Sequence, residues 1–376
     1  MNLMTVNAGS SSIRLALFAM KEAGPRQLAE HHAEHHAEHD GAATATQLRT
    51  ALDAWPQEEV TAVIHRIVHG GARLVQACVL DDEVEKEIAR LADLAPLHHP
   101  QALAWIAACR EKLGDGVAQL AVFDTAFFAE LPEVATTYAL PRDLCARHGL
   151  RRYGFHGLAH QAMWRRWCTL GNQDAEQARV ISIQLGAGCS IAAIQHGQPL
   201  DTSMGFSPLE GLAMATRCGD VDPGLLTFLQ RAEGIGAKQL EHILNHESGL
   251  LGLSGASGDM RQLLAAGEGP ARLAVDVYCY RVRKYIGAYL AVLGGAEAIL
   301  LGGGVGERAA AGRHGILSGM QWCGIELDEQ ANAAMPAREA RISVPDSPIE
   351  VWVIPVDEAA EMASEAAGLL RATRHG

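Results

Sequence analysis

Two stretches far apart in the chain share one pattern of apolar and polar positions. MTVNAGSSSIRLALF, from Met4, and ISIQLGAGCSIAAIQHG, from Ile181, each run as an apolar stretch, a turn of Gly and small residues, and a second alternating stretch. Such alternation around a small-residue turn predicts a β-hairpin, with strands over Leu3–Val6 and Ile13–Phe18 in the first copy. Val60–Val68 (VTAVIHRIV) and Gln119–Phe123 (QLAVF) read as buried strands, each followed by polar residues where a strand would emerge. Between them His99–Leu113 has helical periodicity, and Gly114 is its stop signal. A second strand-rich block begins at Val180. Amphipathic helical patterns follow at Gly224–Asn245 and Ala271–Leu293, the latter ending on Gly294–Gly295. Ala298–Leu301 is a strand that runs into GGGVGER, a glycine turn and helix start. Glu350–Ile354 is one more strand, and an Ala- and Glu-rich helix, about Glu358–Arg371, closes the chain.

Strands and helices thus alternate in both halves, and each half opens on the same hairpin. That predicts a duplicated α/β unit with a boundary near Leu150 to Val180. The length of 376 residues allows two or three domains, and 48% hydrophobic with 20% charged residues supports ordinary globular cores. A net charge of -13 argues against a broad nucleic-acid surface, so any phosphate must be held by a few local arginines and backbone amides. The eight cysteines are scattered without metal or disulfide spacing, which suits a reducing compartment. The amino terminus reads as a strand and not as a leader peptide. No stretch approaches the roughly 20 apolar residues that span a bilayer. A cytoplasmic protein with no membrane partner is expected. LAEHHAEHHAEHD, Leu28–Asp40, places His31, His32, His35, His36 and His39 at helical i, i+4 spacing. Such a tract could bind zinc or nickel, but no Cys or matched carboxylates complete a site, and a solvated surface segment accounts for it.

The hairpin turns let backbone N–H groups approach a phosphate closely. Other nucleotide signatures fail: there is no Gly-Lys dipeptide, hence no Walker A loop, and LGGGVGER lacks dinucleotide spacing. Dense polar words stand at strand ends instead: HRIVHGG (His65–Gly71), LHHP (Leu97–Pro100), FDTAF (Phe123–Phe127), RRYGFHG (Arg151–Gly157), TRCGDVDP (Thr216–Pro223) and SGDMR (Ser257–Arg261). Together they suggest a cleft lined with cations and acids. Phosphoryl transfer needs such a lining: arginines neutralise the transferring group, a carboxylate helps hold magnesium, and a His donor adds stabilisation.

In order and nearly end to end, these words resemble the acetate kinase family, within the acetate and sugar kinase, heat-shock cognate and actin superfamily. The carriers are NAGSSS, HRIVHGG, APLHHP, VFDTAF, RRYGFHG, the LGAG hairpin, DTSMGFSPLEGLAMATRCGDVDP, SGLLGLSGASGDMR, GGGVGER and IPVDE. The resemblance implies an α/β fold of two ribonuclease-H-like, actin-like ATPase domains with a nucleotide cleft between them. The first would span 1–150 and the nucleotide-binding second 151–357, with the closing helix, about 358–376, packing back onto the first. It implies a homodimer that moves phosphate reversibly, in line, from ATP to acetate or propionate, with magnesium as cofactor. Arg66 and Arg217 then resemble the pair on the substrate carboxylate and the transferring phosphoryl group, Asp124 the central carboxylate and His156 the transition-state histidine. Val68, Leu97, Phe155 and Pro208 match the acyl pocket. Asn7, Ser10, Ser12 and Arg14 belong to the first phosphate hairpin, and Gln184, Gly186, Ala187 and Gly188 to the second. His98 resembles a further phosphate-site histidine. Asp259, Met260 and Arg261 would lie near the nucleotide, with Gly303, Gly304 and Gly306 beneath the adenosine. Asn7 and Glu358 would face the magnesium.

The chain departs from that pattern at Gln184 for His, Ala187 for Asn, Arg308 for Asn, Asp357 for Asn and Arg14 for Lys. The first two remove polar side chains or donors that the resemblance places beside the phosphates. Two alternatives therefore stand beside the kinase: a nucleotide-binding, catalytically weak member with a regulatory or interaction role, and a kinase with another donor such as pyrophosphate. Retained Gly303 and Gly304 argue against the latter.

Overall fold

The structure, a computed structural model, describes the chain outside residues 9–11, 23, 35–59, 97, 172–176, 335–338 and 376, and outside the side chains of 12, 33, 34 and 372–375. It forms two compact units, Met1–Ala129 with Asp357–Gly376, and Glu130–Val356.

The first unit holds a six-stranded sheet of β1 (Asn2–Ala8), β2 (Ser12–Lys21), β3 (Gly24–Glu34), β4 (Ala62–Ile67), β5 (Cys78–Val79) and β6 (Ala118–Phe123), in the order β3-β2-β1-β4-β6-β5. β1, β4 and β6 run parallel, while β2, β3 and β5 are antiparallel to their neighbours. The second holds β7 (Arg179–Leu185), β8 (Cys189–Gln195), β9 (Gln198–Thr202), β10 (Ala298–Gly302), β11 (Ala340–Arg341) and β12 (Glu350–Val353), in the order β9-β8-β7-β10-β12-β11. Its parallel and antiparallel pairings match those of the first sheet strand for strand. The duplication read from the two hairpins is thus present in the topology.

The central parallel strands read as apolar runs because helices cover them. All five residues of β10 are buried. In the first unit the helix His99–Leu113 lays Trp105, Ala108 and Cys109 against Met4, Val6, Leu15 and Val63. Met4, Val6, Leu15 and Val63, withdrawn from water, each contribute roughly 1.5–3 kcal/mol. The closing helix, Glu358–His375, packs on β1, β2, β3, β4 and β6, with Met362, Ala363, Ala366 and Ala367 fully buried.

Three expectations change. Gly224–Asn245 forms two helices, Pro223–Glu233 and Ala237–His246, because Gly234 takes a left-handed φ of 67° and ends the first. His31 and His32 lie on β3, not on a helix, since this segment pairs with β2 through Leu15 and Arg14; His35, His36 and His39 lie outside the described residues. Glu130–Leu150 goes with the second unit. Arg152 and Tyr138 tie it there: the Arg152 N–H bonds the Thr136 carbonyl at 2.8 Å and its Nε the Ala135 carbonyl at 3.2 Å, and Tyr138 Oη accepts from Phe206 N–H at 2.8 Å.

Candidate active site

In the first unit the parallel strands end on one edge, and their ends carry the chemistry. Asn7 is next to last in β1, Arg66 next to last in β4, and Asp124 directly follows β6. Arg66 donates from Nε and Nη2 to both Asp124 carboxylate oxygens, at 2.8 and 2.6 Å, and from Nη1 to Asn7 Oδ1 at 2.9 Å. Asn7 Nδ2 in turn donates to Glu358 Oε2 at 2.8 Å, which lies 3.6 Å from Arg66 Nη1. Glu358 opens the closing helix, where the dipole favours an acid. Side-chain exposure is 12% for Arg66, 1% for Asp124 and 17% for Glu358.

Burial opposes the Arg66 charge, but Asp124 and Glu358 outweigh it and hold the guanidinium more firmly protonated than usual. Burial, with Glu358 nearby, pushes the Asp124 carboxyl up against the downward pull of Arg66. With both oxygens engaged by Arg66, Asp124 is a fixed charge and not a mobile base. Behind this edge His65 is buried with Nε2 2.7 Å from Gln119 Oε1, and burial pushes it down to about 4. Gly70 admits no side chain, since a Cβ there would meet the Leu74 carbonyl at 1.9 Å, and its N–H bonds Thr125 Oγ1 at 2.9 Å. HRIVHGG and FDTAF are thereby tied together.

In the second unit His156 precedes the helix Gly157–Thr169 with a left-handed φ of 59°, uncommon outside glycine. Its Nδ1 lies 2.9 Å from Ser190 Oγ in β8. Gly188, in the hairpin turn, is crowded by an imidazole and a guanidinium: a Cβ there would sit 3.3 Å from His156 Nε2 and 3.5 Å from Arg217 Nη1. Arg217 Nη1 donates to the Pro208 carbonyl at 2.9 Å and touches Met214 Sδ at 3.6 Å. No carboxylate pairs with it among the described residues, and burial pulls its guanidinium below the usual arginine range. A partly buried cation left in this way suits an anion that arrives from solution.

The loop that aims Arg217 is braced by acids. Glu210 takes a bond from Tyr138 and one from Arg152 Nη2 at 2.6 Å. Asp220 accepts from Gly211 N–H at 2.9 Å and Tyr285 Oη at 2.7 Å. Asp222 caps the next helix through Gly224 N–H at 2.7 Å. The acids of PLEGL and TRCGDVDP therefore hold the loop, a use that sequence reasoning did not assign. It also missed His160, Ser182 and Ser190, although His160 stands one helical turn beyond His156.

The sequence profile of the Acetokinase family matches residues 26–364. The chain belongs to this family. An acetate kinase of Chloroherpeton thalassium is 47% identical over 306 residues, 80% of this chain and 73% of that one. The crystal structure of Porphyromonas gingivalis acetate kinase has a TM-score of 0.88 at 37% identity, covering 98% of this chain and 99% of that one. A propionate kinase from Francisella tularensis has a TM-score of 0.85 at 30% identity, covering 97% and 98%.

Within this family member the remaining positions sort by unit. Val68 is buried in the first, and Phe155 and half-buried Pro208 belong to the second. Ser10 and Leu97 lie outside the described residues, as does the side chain of Ser12. Arg14 is held by Glu30 on β3. His98 precedes the helix His99–Leu113, with its N–H on the Ala95 carbonyl at 3.0 Å. Gly186 N–H closes the hairpin on the Gly188 carbonyl at 3.0 Å, and the Ala187 carbonyl accepts from Ala215 at 3.0 Å. Gln184 Oε1 is buried without a hydrogen-bond partner among the described residues. Gly303 has φ 76°, and a Cβ there would meet Gln184 Oε1 at 2.9 Å, while Gly304 is open and Gly306 buried. Glu307 Oε1 fixes this turn by accepting from Gly303 and Val356 N–H at 3.0 and 3.1 Å. Asp259 caps the helix Met260–Ala266 and pairs with Arg261 at 2.6 Å; Arg261 is 86% exposed and Met260 buried. Arg308 is exposed. Asp357 accepts from Ala360 N–H at 3.0 Å and so caps the closing helix, which Asp does as well as Asn.

Proposed function

We propose that this chain transfers the terminal phosphoryl group of ATP to a short carboxylate, acetate or propionate, giving an acyl phosphate and ADP. Arg217 carries the reading: a guanidinium without a carboxylate partner among the described residues, beside His156 and the Gly188 turn. Family membership supports it, since the relatives are acetate kinases and a propionate kinase. A substrate carboxylate oxygen attacks the γ-phosphorus, the O–P bond forms, and the bridge to the β-phosphate breaks with its electron pair leaving on ADP. The nucleophile is already ionised, so no base is required, in keeping with an Asp124 locked by Arg66. Repulsion between two anions is the main obstacle, and Arg66 and Arg217 are assigned to offset it. His156 is assigned to donate to the transferring group. Val68, Phe155 and Pro208 are assigned to the acyl group.

Magnesium would come with the nucleotide. Asn7 and Glu358 would face it: Arg66, Asp124 and Glu358 leave one net negative charge, and the Glu358 carboxylate is a hard oxygen donor of the kind Mg²⁺ accepts when phosphate and water complete its shell. The ion would supply charge neutralisation at the phosphates. We also assign a homodimer, which the family resemblance implies, and a cytoplasmic setting, supported by eight free thiols. Among the described residues no helix is long and apolar enough to cross a membrane. Turnover with ATP, magnesium and acetate or propionate, trapped by hydroxylamine as the hydroxamate, tests the activity. A folded protein giving no hydroxamate above background with either acid overturns it in favour of a binding role.

A further inference from the structure

Behind His156 a line of side chains runs into the core of the second unit. Ser190 Oγ lies 2.9 Å from His156 Nδ1 and 2.8 Å from His160 Nε2, and His160 Nδ1 lies 2.8 Å from Ser182 Oγ. His160, Ser182 and Ser190 are all fully buried. The hairpin register explains the alignment: Ser190 pairs with Gln184, two residues from Ser182, so both serines point from one face of β7 and β8.

A serine hydroxyl has one proton to donate. Set between two imidazoles, Ser190 donates to one ring and accepts from the other, so the line has two consistent polarities when both rings are neutral. In one, Ser190 donates to His156 Nδ1, His160 donates Nε2–H to Ser190, and Ser182 donates to His160 Nδ1. His156 then carries its proton on Nε2. In the other, every bond reverses and Nε2 of His156 presents a bare lone pair. That edge faces the hairpin turn, since a Cβ on Gly188 would sit 3.3 Å from it. A lone pair there would repel an incoming phosphoryl group, whereas an N–H would bind it.

We propose that Ser190, backed by His160 and Ser182, is a positioning residue that holds His156 as its Nε2–H tautomer and fixes the ring toward the transferring phosphoryl group. The strained φ of 59° at His156 agrees, because such a conformation persists only where its surroundings over-determine it. The inference rests on the kinase reading and deepens it.

Nitrogen-15 spectra of the labelled native protein at neutral pH test the tautomer directly, with His156 assigned from the spectrum of His156→Gln. Both His156 and His160 should appear protonated at Nε2; a neutral His156 protonated at Nδ1 overturns the proposal. Ser190→Ala should lower kcat about tenfold to a hundredfold, the scale on which lost outer partners disturb a ligating imidazole, and leave KM for ATP and acetate within about threefold. A folded Ser190→Ala enzyme with kcat within about twofold of native also overturns it. Should that variant not fold, the native tautomer still decides. Absence of native turnover would end the kinase reading instead, a separate outcome.

Discussion

Arg66→Met should separate what the Arg66 constellation does for the fold from what it does for the reaction. The guanidinium holds both Asp124 oxygens at 2.8 and 2.6 Å and lies 3.6 Å from Glu358. Removing it leaves a buried carboxylate facing a second acid with no cation, a loss of roughly 3–5 kcal/mol. The penalty carries a pH signature. Burial and Glu358 already push the Asp124 carboxyl up, and the variant loses the guanidinium that pulled it down. The folded variant therefore holds this proton to higher pH than the unfolded chain, whose carboxyl ionises near about 4. Folded protein binding more protons means stability that falls as pH rises above that point, until the folded carboxyl has ionised. The deficit should be smaller at pH 5 than at pH 8.

Adding Asp124→Leu removes the orphaned charge, and an apolar replacement of a whole buried pair is close to neutral. The double variant should thus regain at least about 2 kcal/mol of the loss while turnover stays down by about a hundredfold or more, each 1.36 kcal/mol being tenfold in rate. Denaturant unfolding at both pH values and the hydroxamate assay read the two effects. A double variant no more stable than the single one, or turnover within about tenfold of native in either, would refute the reasoning.

Arg217→Met should behave in the opposite way. With no carboxylate paired to this cation among the described residues, melting temperature should hold or rise while kcat/KM falls by about two orders of magnitude; a marked loss of stability would point to a structural role. His65 is buried neutral at about 4, whereas in the unfolded chain it protonates near about 6.5. Acid therefore favours unfolding between these values, by roughly 3 kcal/mol in full, and His65→Gln should flatten that fall in unfolding titrations from pH 7 to 4; an unchanged slope refutes it. Gln184→His with Ala187→Asn should raise kcat/KM for ATP severalfold to a hundredfold, since a restored hydrogen bond to charged phosphate is worth about 1.5–3 kcal/mol. Flat or lower kcat/KM in the folded double variant would mean the two substitutions are compensated elsewhere.

How much of this could be read in advance followed the kind of signal. The hairpins, β4, β6 and the helix His99–Leu113 were legible because a clear period ends on Gly or a polar strand end. β3 was not: LAEHHAE lies at a sheet edge with little apolar alternation, and histidine spacing imitated a helix. The break at Gly234 was hidden because the apolar period continues on both sides of it. Arg66, Asp124 and His156 showed as polar residues at strand or helix ends. The bond from Asn7 to Glu358 joins residues 351 apart in sequence, and it arises because the closing helix packs on β1. Ser190, His160 and Ser182 meet only through the hairpin register and one helical turn, which a single sequence does not display.

The duplication gives the departures at the second hairpin their physical meaning. Asn7 and Gln184 hold the same place, next to last in the first strand of each sheet. Asn7 comes level with Arg66 on β4, whereas Gln184 pairs with Gly302 on β10. One copy thus concentrates charge at its central strand ends and the other strips side chains away. A Cβ on Gly302 would fall 2.5 Å from Met163 Sδ, and one on Gly303 2.7 Å from the Leu185 carbonyl, so neither place admits anything larger than glycine. A polar side chain at 184 must then take its partner from outside this glycine corner. The buried Gln184 Oε1 has none among the described residues. The Gln184 oxygen lies on the Gly303 side, 2.9 Å from where a Cβ on Gly303 would sit, so an arriving phosphate would meet at most the amide NH₂ in place of an imidazole donor. For this reason the substitution should tell on the phosphate donor before it tells on the fold.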